Sequence, residues 1–239
     1  MIVGGVALLG LAAVATAVGG GGGSKPSLAG GDGAYPFRQA RFYRPGRKLG
    51  NPIWLVLHTA EDHELPNEAR GLQAYAVNPS DGRQVSWHYA VDNNGVYQSV
   101  REGDTAFAAG PGNALGIHIE LVGAALQGAT GWSDAYSQAE LKLAASLARE
   151  IILRHGIPAE RLRAEDLLAR RGGITDHAEI SKAAALARER NFAFQPWYDP
   201  ARRPTWLTTN HFDVGPTFPW DEFLARVKSG GEEPPLPNV

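Results

Sequence analysis

Three residues that can bind a metal ion stand next to predicted regular elements of the chain. His58 follows an apolar run at residues 53–57, His177 lies in the segment ITDHAE, and Asp213 precedes a predicted final helix. A catalytic zinc ion takes about three such ligands and keeps a fourth position open. The chain has no cysteine, so any metal site must be built from His, Asp and Glu.

The spacing of these residues leaves two interpretations open. The intervals are 177 − 58 = 119 and 213 − 177 = 36 residues, which match no short metal-binding motif. A histidine at the end of a buried strand is more often structural than a ligand. The residue types by themselves therefore favour structural roles, and a metal site needs further support.

The elements that must position these residues are strands interleaved with helices. Strands are predicted at residues 53–57, 85–92, 96–100 and 115–122, and helices at 67–77, 137–155 and 219–227. Residues 137–140 (SQAE) have the pattern of a capping box, and Gly156 marks the end of that helix. Side chains alternate along a strand, so His118 and Glu120 share one face. The pattern predicts a mixed α/β domain with a central sheet flanked by helices.

Composition and the two ends of the chain set the domain organisation. The 239 residues carry 23 Lys and Arg against 25 Asp and Glu, a net charge of −2, which argues against a nucleic-acid-binding protein. We assign residues 1–18 to a signal peptide or weak signal-anchor, 19–34 to a glycine-rich linker, 35–228 to the folded domain and 229–239 to a flexible tail. Residues 1–24 contain no charged side chain, so a low-complexity tail without a targeting role is the alternative.

Six segments carry a resemblance to one enzyme family. They are residues 55–61 (LVLHTAE), 86–98 (SWHYAVDNNGVYQ), 104–110 (DTAFAAG), 115–123 (LGIHIELVG), 176–181 (DHAEIS) and 213–220 (DVGPTFPW). In this order they resemble motifs of the zinc-dependent N-acetylmuramoyl-L-alanine amidases, which share the fold of peptidoglycan-recognition proteins and phage lysozyme-type amidases. The segments resemble those of endolysin amidase domains from phages that infect actinobacteria.

The resemblance implies a role for particular residues of this chain. It implies a Zn²⁺ ion held by His58, His177 and Asp213. Glu120 falls where bacterial members carry a catalytic glutamate, which exchanges protons with water and the leaving amine. His211 stands where relatives carry lysine and would stabilise the oxyanion of the tetrahedral intermediate. A strand-end salt bridge is the structural alternative for Glu120.

The places of three further residues in the matching segments predict contacts with substrate. His88, Tyr89 and Asn113 are predicted to line a substrate groove, with ordinary structural roles as the alternative. Residues 183–210 form a longer connection than the family usually has. Its aromatic residues and arginines would either hold sugar or peptide groups or simply pack against the domain, and packing is the favoured interpretation.

The function that the resemblance implies is hydrolysis of the amide bond between N-acetylmuramic acid and L-alanine. The partner would be peptidoglycan (a muropeptide), with no nucleic acid, transient membrane contact through residues 2–18, and a monomeric chain. The protein would be exported to the cell envelope or the extracellular space, from a bacterial or a phage gene. Two alternatives remain: a non-catalytic peptidoglycan-recognition module, and a virion-associated component that opens the wall.

Overall fold

The fold is built on one five-stranded sheet, seen in a computed structural model that describes residues 31–127, 131–190 and 211–230. The strands are β1 (Trp54–Thr59), β2 (Tyr89–Val91), β3 (Val96–Gln98), β4 (Gly116–Leu121) and β5 (Gly173–Asp176). Their order across the sheet is β3-β2-β4-β1-β5. Only β3 runs antiparallel to its neighbour, and the other strands are parallel. This mixed sheet confirms the predicted α/β class.

Helices cover both faces of the sheet. They are α1 (Glu68–Val77), α2 (Ala135–His155), α3 (Ala164–Leu168), α4 (His177–Glu189) and α5 (Trp220–Ser229). Leu55 and Leu57 of β1 belong to the core that α2 and α5 complete. Trp54 and Val56 point to the opposite face, where α3 and α4 pack. Among the described residues, no helix is both long enough and apolar enough to cross a bilayer.

The register of the central strands brings polar residues together at one end of the sheet. In the parallel pair β1 and β4, His58 lies directly beside Glu120. Side chains alternate, so His58, Glu120 and His118 all project to the face covered by α3 and α4. Because parallel strands end at the same edge, this placement creates a polar cluster at the carboxyl end of the sheet.

The structure corrects two details of the sequence analysis. Helix α2 begins at Ala135 and is capped by Asp134, whose side chain accepts a hydrogen bond from Ser137 N, so residues 137–140 are not a capping box. The Glu140 side chain instead accepts from Val122 N at 2.7 Å. At the other boundary, Asp32 Oδ2 accepts from Glu102 N at 2.6 Å. Asp32, which is predicted to lie in the linker, therefore contacts the domain.

We expect Glu140→Gln to stabilise the protein increasingly as the pH rises. Glu140 is fully buried, and burial raises its pKa well above the ordinary value, although the hydrogen bond from Val122 N opposes this shift. A raised folded-state pKa gives a contribution to stability that is present at acid pH and is lost as the pH rises through that pKa. The amide keeps an acceptor for Val122 N and cannot ionise.

Urea unfolding at pH 5 and pH 8 measures this effect. The difference in unfolding free energy between variant and wild type should be larger at pH 8. Glu189→Gln, which changes an exposed glutamate of α4, serves as the matched control and should show no such trend. An equal difference at both pH values would contradict the assignment.

Candidate metal centre

Strand β1 delivers the first of three clustered ligands. His58 is the fifth residue of this strand and only 2% exposed. Every residue of β1 is buried between two neighbouring strands and two helical layers, which fixes the backbone on which His58 stands. Its ring is therefore held at the carboxyl end of the sheet, with little freedom to move.

The other two ligands meet at the beginning of α4. His177 is the first residue of this helix, and the preceding Asp176 caps it by accepting a hydrogen bond from Glu179 N at 2.7 Å. The carbonyl of Asp213 accepts from Ala178 N at 3.1 Å, so the helix terminus also fixes the backbone of Asp213. A distant segment of the chain is thereby joined to the end of β5.

The three side chains form a compact donor set. His58 Nδ1 lies 3.4 Å and His177 Nδ1 lies 3.2 Å from the same oxygen, Asp213 Oδ2. One ligand atom from each residue falls within a mutual separation of 4.8 Å. Ligands about 2.0–2.1 Å from a tetrahedral zinc ion are separated by about 3.3 Å. Two imidazoles and a carboxylate at these distances therefore fit such an ion.

Electrostatics keeps this cluster in the form that binds cations. Burial by itself would raise the pKa of the Asp213 carboxyl, but hydrogen bonds from His177 and His58 hold that pKa well below its ordinary value. Burial lowers the pKa of His177, although the hydrogen bond to Asp213 opposes this. An ionised carboxylate beside a neutral imidazole is the state that a metal ion requires.

A further histidine, His118, contacts His58 on the side of the ring that faces away from Asp213. Its Nδ1 lies 3.0 Å from His58 Nε2, the ring nitrogen that faces away from Asp213. Burial, together with the nearby His58 and His88, holds the pKa of His118 well below the ordinary value. Metal-binding histidines commonly direct their second nitrogen to such a partner, which fixes the tautomer and the orientation of the ring. The alternation of side chains along the strand predicts the face on which His118 lies but not this contact.

Two predicted catalytic residues flank the cluster. Glu120 is half-buried beside His58, and burial raises its pKa well above the ordinary value, with smaller contributions from Asp213 and Glu61. The ring of His211 stacks on that of His177 with centroids 3.8 Å apart. Burial, and then the neighbouring His177, lowers the pKa of His211. The structure thus places the Glu120 carboxyl and the His211 imidazole next to the candidate ligands.

The structure corrects the predicted substrate contacts of His88 and Tyr89, because both side chains are 0% exposed. His88 Nδ1 accepts from His118 N at 3.0 Å, and Tyr89 donates to Glu102 Oε1 at 2.7 Å. They support the sheet and do not line a groove. Asn113 is half-buried and its Oδ1 accepts from Ala109 N at 2.6 Å, so its contact with substrate stays a prediction.

Most of the long connection before Asp213 lies outside the described residues. This applies to its aromatic residues and to two of its arginines, namely Phe192, Phe194, Trp197, Tyr198, Arg202, Arg203 and Trp206. The described part continues α4, and Arg190 at its end pairs with Glu165 of α3 at 2.6 Å. The first part of this connection is therefore an ordinary helix packed on the domain.

Comparison with known proteins identifies the family. The profile of the N-acetylmuramoyl-L-alanine amidases matches residues 49–190, which is more than half of the chain. The chain belongs to the N-acetylmuramoyl-L-alanine amidase family. The matched range contains His58, Glu120 and His177, whereas Asp213 lies beyond it. No curated protein sequence matches the chain.

Solved structures agree with this family assignment at the level of the fold. The catalytic domain of PlyG is 17% identical with a TM-score of 0.52, over 84% of this chain and 98% of that one. The hydrolase AmiA of Staphylococcus aureus, solved in complex with its ligand, is 14% identical with a TM-score of 0.50, over 82% of this chain and 83% of that one. This amidase-family chain therefore has the predicted amidase fold.

We expect Gly116→Ala to destabilise the protein by roughly 1–3 kcal/mol, the usual cost of overpacking. A Cβ at Gly116 would lie 2.8 Å from the carbonyl oxygen of Gly112 and 2.9 Å from His118 Nε2. The added methyl group would push the His118 ring away from its place behind His58.

Urea unfolding measures the change against a matched glycine. Gly103→Ala places a Cβ where nothing lies within 4 Å, so its cost should be much smaller. Equal stability of the two variants would show that the His118 ring is not confined by Gly116.

Proposed function

We propose that the chain hydrolyses the amide bond between the lactyl group of N-acetylmuramic acid and L-alanine in peptidoglycan, as a zinc enzyme. The observation that carries this proposal is the cluster of His58, His177 and Asp213 at the carboxyl end of the sheet in a chain of the amidase family. Their separations fit a tetrahedral ion with a position left for substrate or water. A recognition module without catalysis would not need this donor set.

The bound zinc would polarise the scissile carbonyl and make an attacking water more acidic. The chain itself must then move a proton from that water to the leaving nitrogen. Glu120 stands beside His58 and has a raised pKa, which is suited to accepting a proton and releasing it again near neutral pH. Water adds to the carbonyl carbon, the C–N bond breaks, and the proton passes to the free amine of L-alanine.

His211 would stabilise the oxygen of the attacked carbonyl. Its ring lies against His177, within the cluster, and its lowered pKa leaves it neutral in the neutral pH range. A neutral imidazole donates a hydrogen bond without adding a charge next to the metal. The contribution of such a donor to catalysis is about 100- to 1,000-fold in rate.

We further propose that the protein acts outside the cytoplasm, where its substrate is located. The support is the uncharged apolar stretch at residues 2–18, followed by the glycine-rich segment, both of which lie outside the described residues. This proposal is independent of the chemistry at the metal centre.

The first test is mass spectrometry of purified peptidoglycan digested by the full chain with zinc. We expect released stem peptides with a free L-alanine amino terminus and intact glycan strands.

Asp213→Ala should lower the rate at least about 1,000-fold, because the metal contributes several kcal/mol to the transition state. Asp221→Ala, which changes an exposed carboxylate of α5, is the control and should retain activity. Peptidoglycan that is bound and left uncut would support the recognition module instead.

Replacement of Glu120 separates catalysis from metal binding. We expect Glu120→Gln to lower the rate about 100- to 10,000-fold, the usual contribution of a general acid–base. Its zinc content, measured by elemental mass spectrometry, should equal that of the wild type. Near-normal activity would assign Glu120 a structural role, and loss of zinc would make it a ligand.

Two substitutions of His118 test its contact with the candidate ligand. With Nδ1 of His58 on the metal, its Nε2–H donates to His118 Nδ1. His118→Leu should weaken zinc binding about 10- to 100-fold, as is typical when such a partner is lost. His118→Asn places an acceptor at a similar position and should retain most of the affinity. Competition with a chromophoric chelator measures the zinc affinity of both variants. An equal loss of affinity in the two variants would mean that His118 contributes only packing.

A further inference from the structure

One part of this nearly neutral chain is strongly basic. Residues 33–60 contain no aspartate or glutamate, while residues 38–48 carry four arginines and one lysine. The chain as a whole has a net charge of −2, so this segment contrasts with the rest. A concentration of one charge sign in a neutral protein points to an oppositely charged partner.

Three of these cations, Arg38, Arg41 and Lys48, are exposed and Arg44 is half-buried, and another exposed cation comes from a different segment. Arg47 is the exception, because its guanidinium turns inward and donates to the carbonyl oxygens of Glu102 at 2.6 Å and Gly116 at 3.1 Å. The remaining cations define the basic surface, which consists of Arg38, Arg41, Arg44, Lys48 and Arg101. Arg101 joins it because its guanidinium lies 4.9 Å from the ring centre of Phe37.

The charge of this surface is largely uncompensated. Within the described ranges, Arg38, Arg41, Arg44 and Lys48 form no ion pair, although arginines elsewhere do, such as Arg171 with Asp166 at 2.7 Å. The acids on the neighbouring backbone are Asp32, Asp104 and Glu102, and Glu102 is buried and paired with Arg154 and His155. Asp32 and Asp104 accept hydrogen bonds from main-chain N–H groups, Asp32 from Glu102 at 2.6 Å and Asp104 from Gly46 at 2.8 Å. Four cations without an ion pair therefore stand near two carboxylates.

The part of the basic surface around Arg44 and Lys48 lies near the start of β4, whereas the metal centre lies near the end of that strand. Arg47, between these two residues in the sequence, binds the carbonyl of Gly116, the first residue of β4, at 3.1 Å. Glu120 of the metal centre is four residues further along β4. Strand residues advance about 3.3 Å each, so roughly 13 Å of strand separates the two regions.

The chain enters the domain beside Arg38. Asp32 N donates to Gln98 Oε1 at 2.9 Å, next to the backbone that carries Arg38. Upstream in the sequence lie the uncharged apolar residues 2–18, joined to the domain by residues 19–30. Twelve residues span at most about 40 Å, so an apolar segment held in a bilayer would keep the basic surface close to its headgroups.

We propose that the basic surface binds the anionic phospholipid surface of a membrane and turns the metal centre away from the bilayer. Each Lys or Arg near an anionic leaflet strengthens binding about fivefold, and the effect falls off within a Debye length. The apolar segment and the basic surface would together provide the two contacts that stable membrane attachment needs. The metal centre would then face outward, toward polymer beyond the membrane. Only this orientation depends on the proposed function.

Vesicle binding by the full chain tests the proposal without any measurement of hydrolysis. The vesicles contain phosphatidylcholine alone or with 30 mol% phosphatidylglycerol, a composition that we choose to resemble an anionic leaflet. We expect the wild type to prefer the anionic vesicles at low salt and to lose that preference at high salt. Replacing Arg38, Arg41, Arg44 and Lys48 with Gln should reduce the preference at least tenfold. Binding to neutral vesicles, which reports on residues 2–18, should not change.

A matched variant removes the same charge elsewhere. It replaces one exposed cation in each of helices α1, α2, α4 and α5 with Gln, namely Arg70, Lys142, Arg188 and Lys228. This variant should keep the anionic preference. Equal losses in the two variants, or no preference in the wild type, would overturn the proposal. Stronger competition by soluble polyglycerol phosphate than by vesicles would also overturn it and assign the surface to a wall polymer.

Fluorescent labels test the orientation in a chain whose native sequence has no cysteine. Single cysteines replace Pro45, which is exposed on the basic surface, or Leu126, which is 65% exposed in the loop after β4. Spin-labelled headgroups should quench a fluorophore at position 45 strongly and one at position 126 weakly. Equal quenching, or the reverse order, would contradict the orientation. This measurement needs no charge-changing substitution, so it stands even if the four-residue variant folds poorly.

Discussion

The arrangement of this protein depends on one buried carboxylate that is shared by two histidines. Asp213 is 8% exposed, and its Oδ2 faces both His58 Nδ1 and His177 Nδ1. A buried charge is costly unless it is paired or binds a metal. The fold meets this requirement by bringing three distant parts of the chain to one edge of the sheet. The parallel pairing of β1 with β4 and β5 and the capped terminus of α4 all serve that convergence.

The rigidity of this edge comes from layers of contacts behind the ligands. His118 supports His58, and the absence of a side chain at Gly116 leaves space for the His118 ring. The loop that carries Asp213 is held in a similar way, because a Cβ at Gly215 would clash with the carbonyl oxygen of Ala125. Gly215 also has a φ of +91°, a conformation that favours glycine. Two glycines thus permit the close approach that orients the candidate ligands.

Much of this could be predicted from the sequence, and the exceptions have physical causes. The apolar run before His58 identified β1, and the resemblance selected the three residues that the structure brings together. The role of His118 was missed because alternation gives the face of a side chain and not its partner. The motif match predicts a groove position for His88 and Tyr89 because a match does not report burial. The apparent capping box failed because Asp134 provides an earlier cap, which leaves Glu140 free to bind Val122.

The proposed hydrolysis rests on a zinc ion that binds two imidazoles and one carboxylate and keeps an open position. X-ray absorption spectroscopy of the full chain loaded with one equivalent of zinc tests this ligand set. Multiple scattering from imidazole rings gives the number of bound histidines. We expect two imidazoles, from His58 and His177, with oxygen donors in the remaining positions. Three imidazoles, with His211 or His118 as the third, would contradict the assigned ligand set, and a spectrum without imidazole would contradict the site altogether.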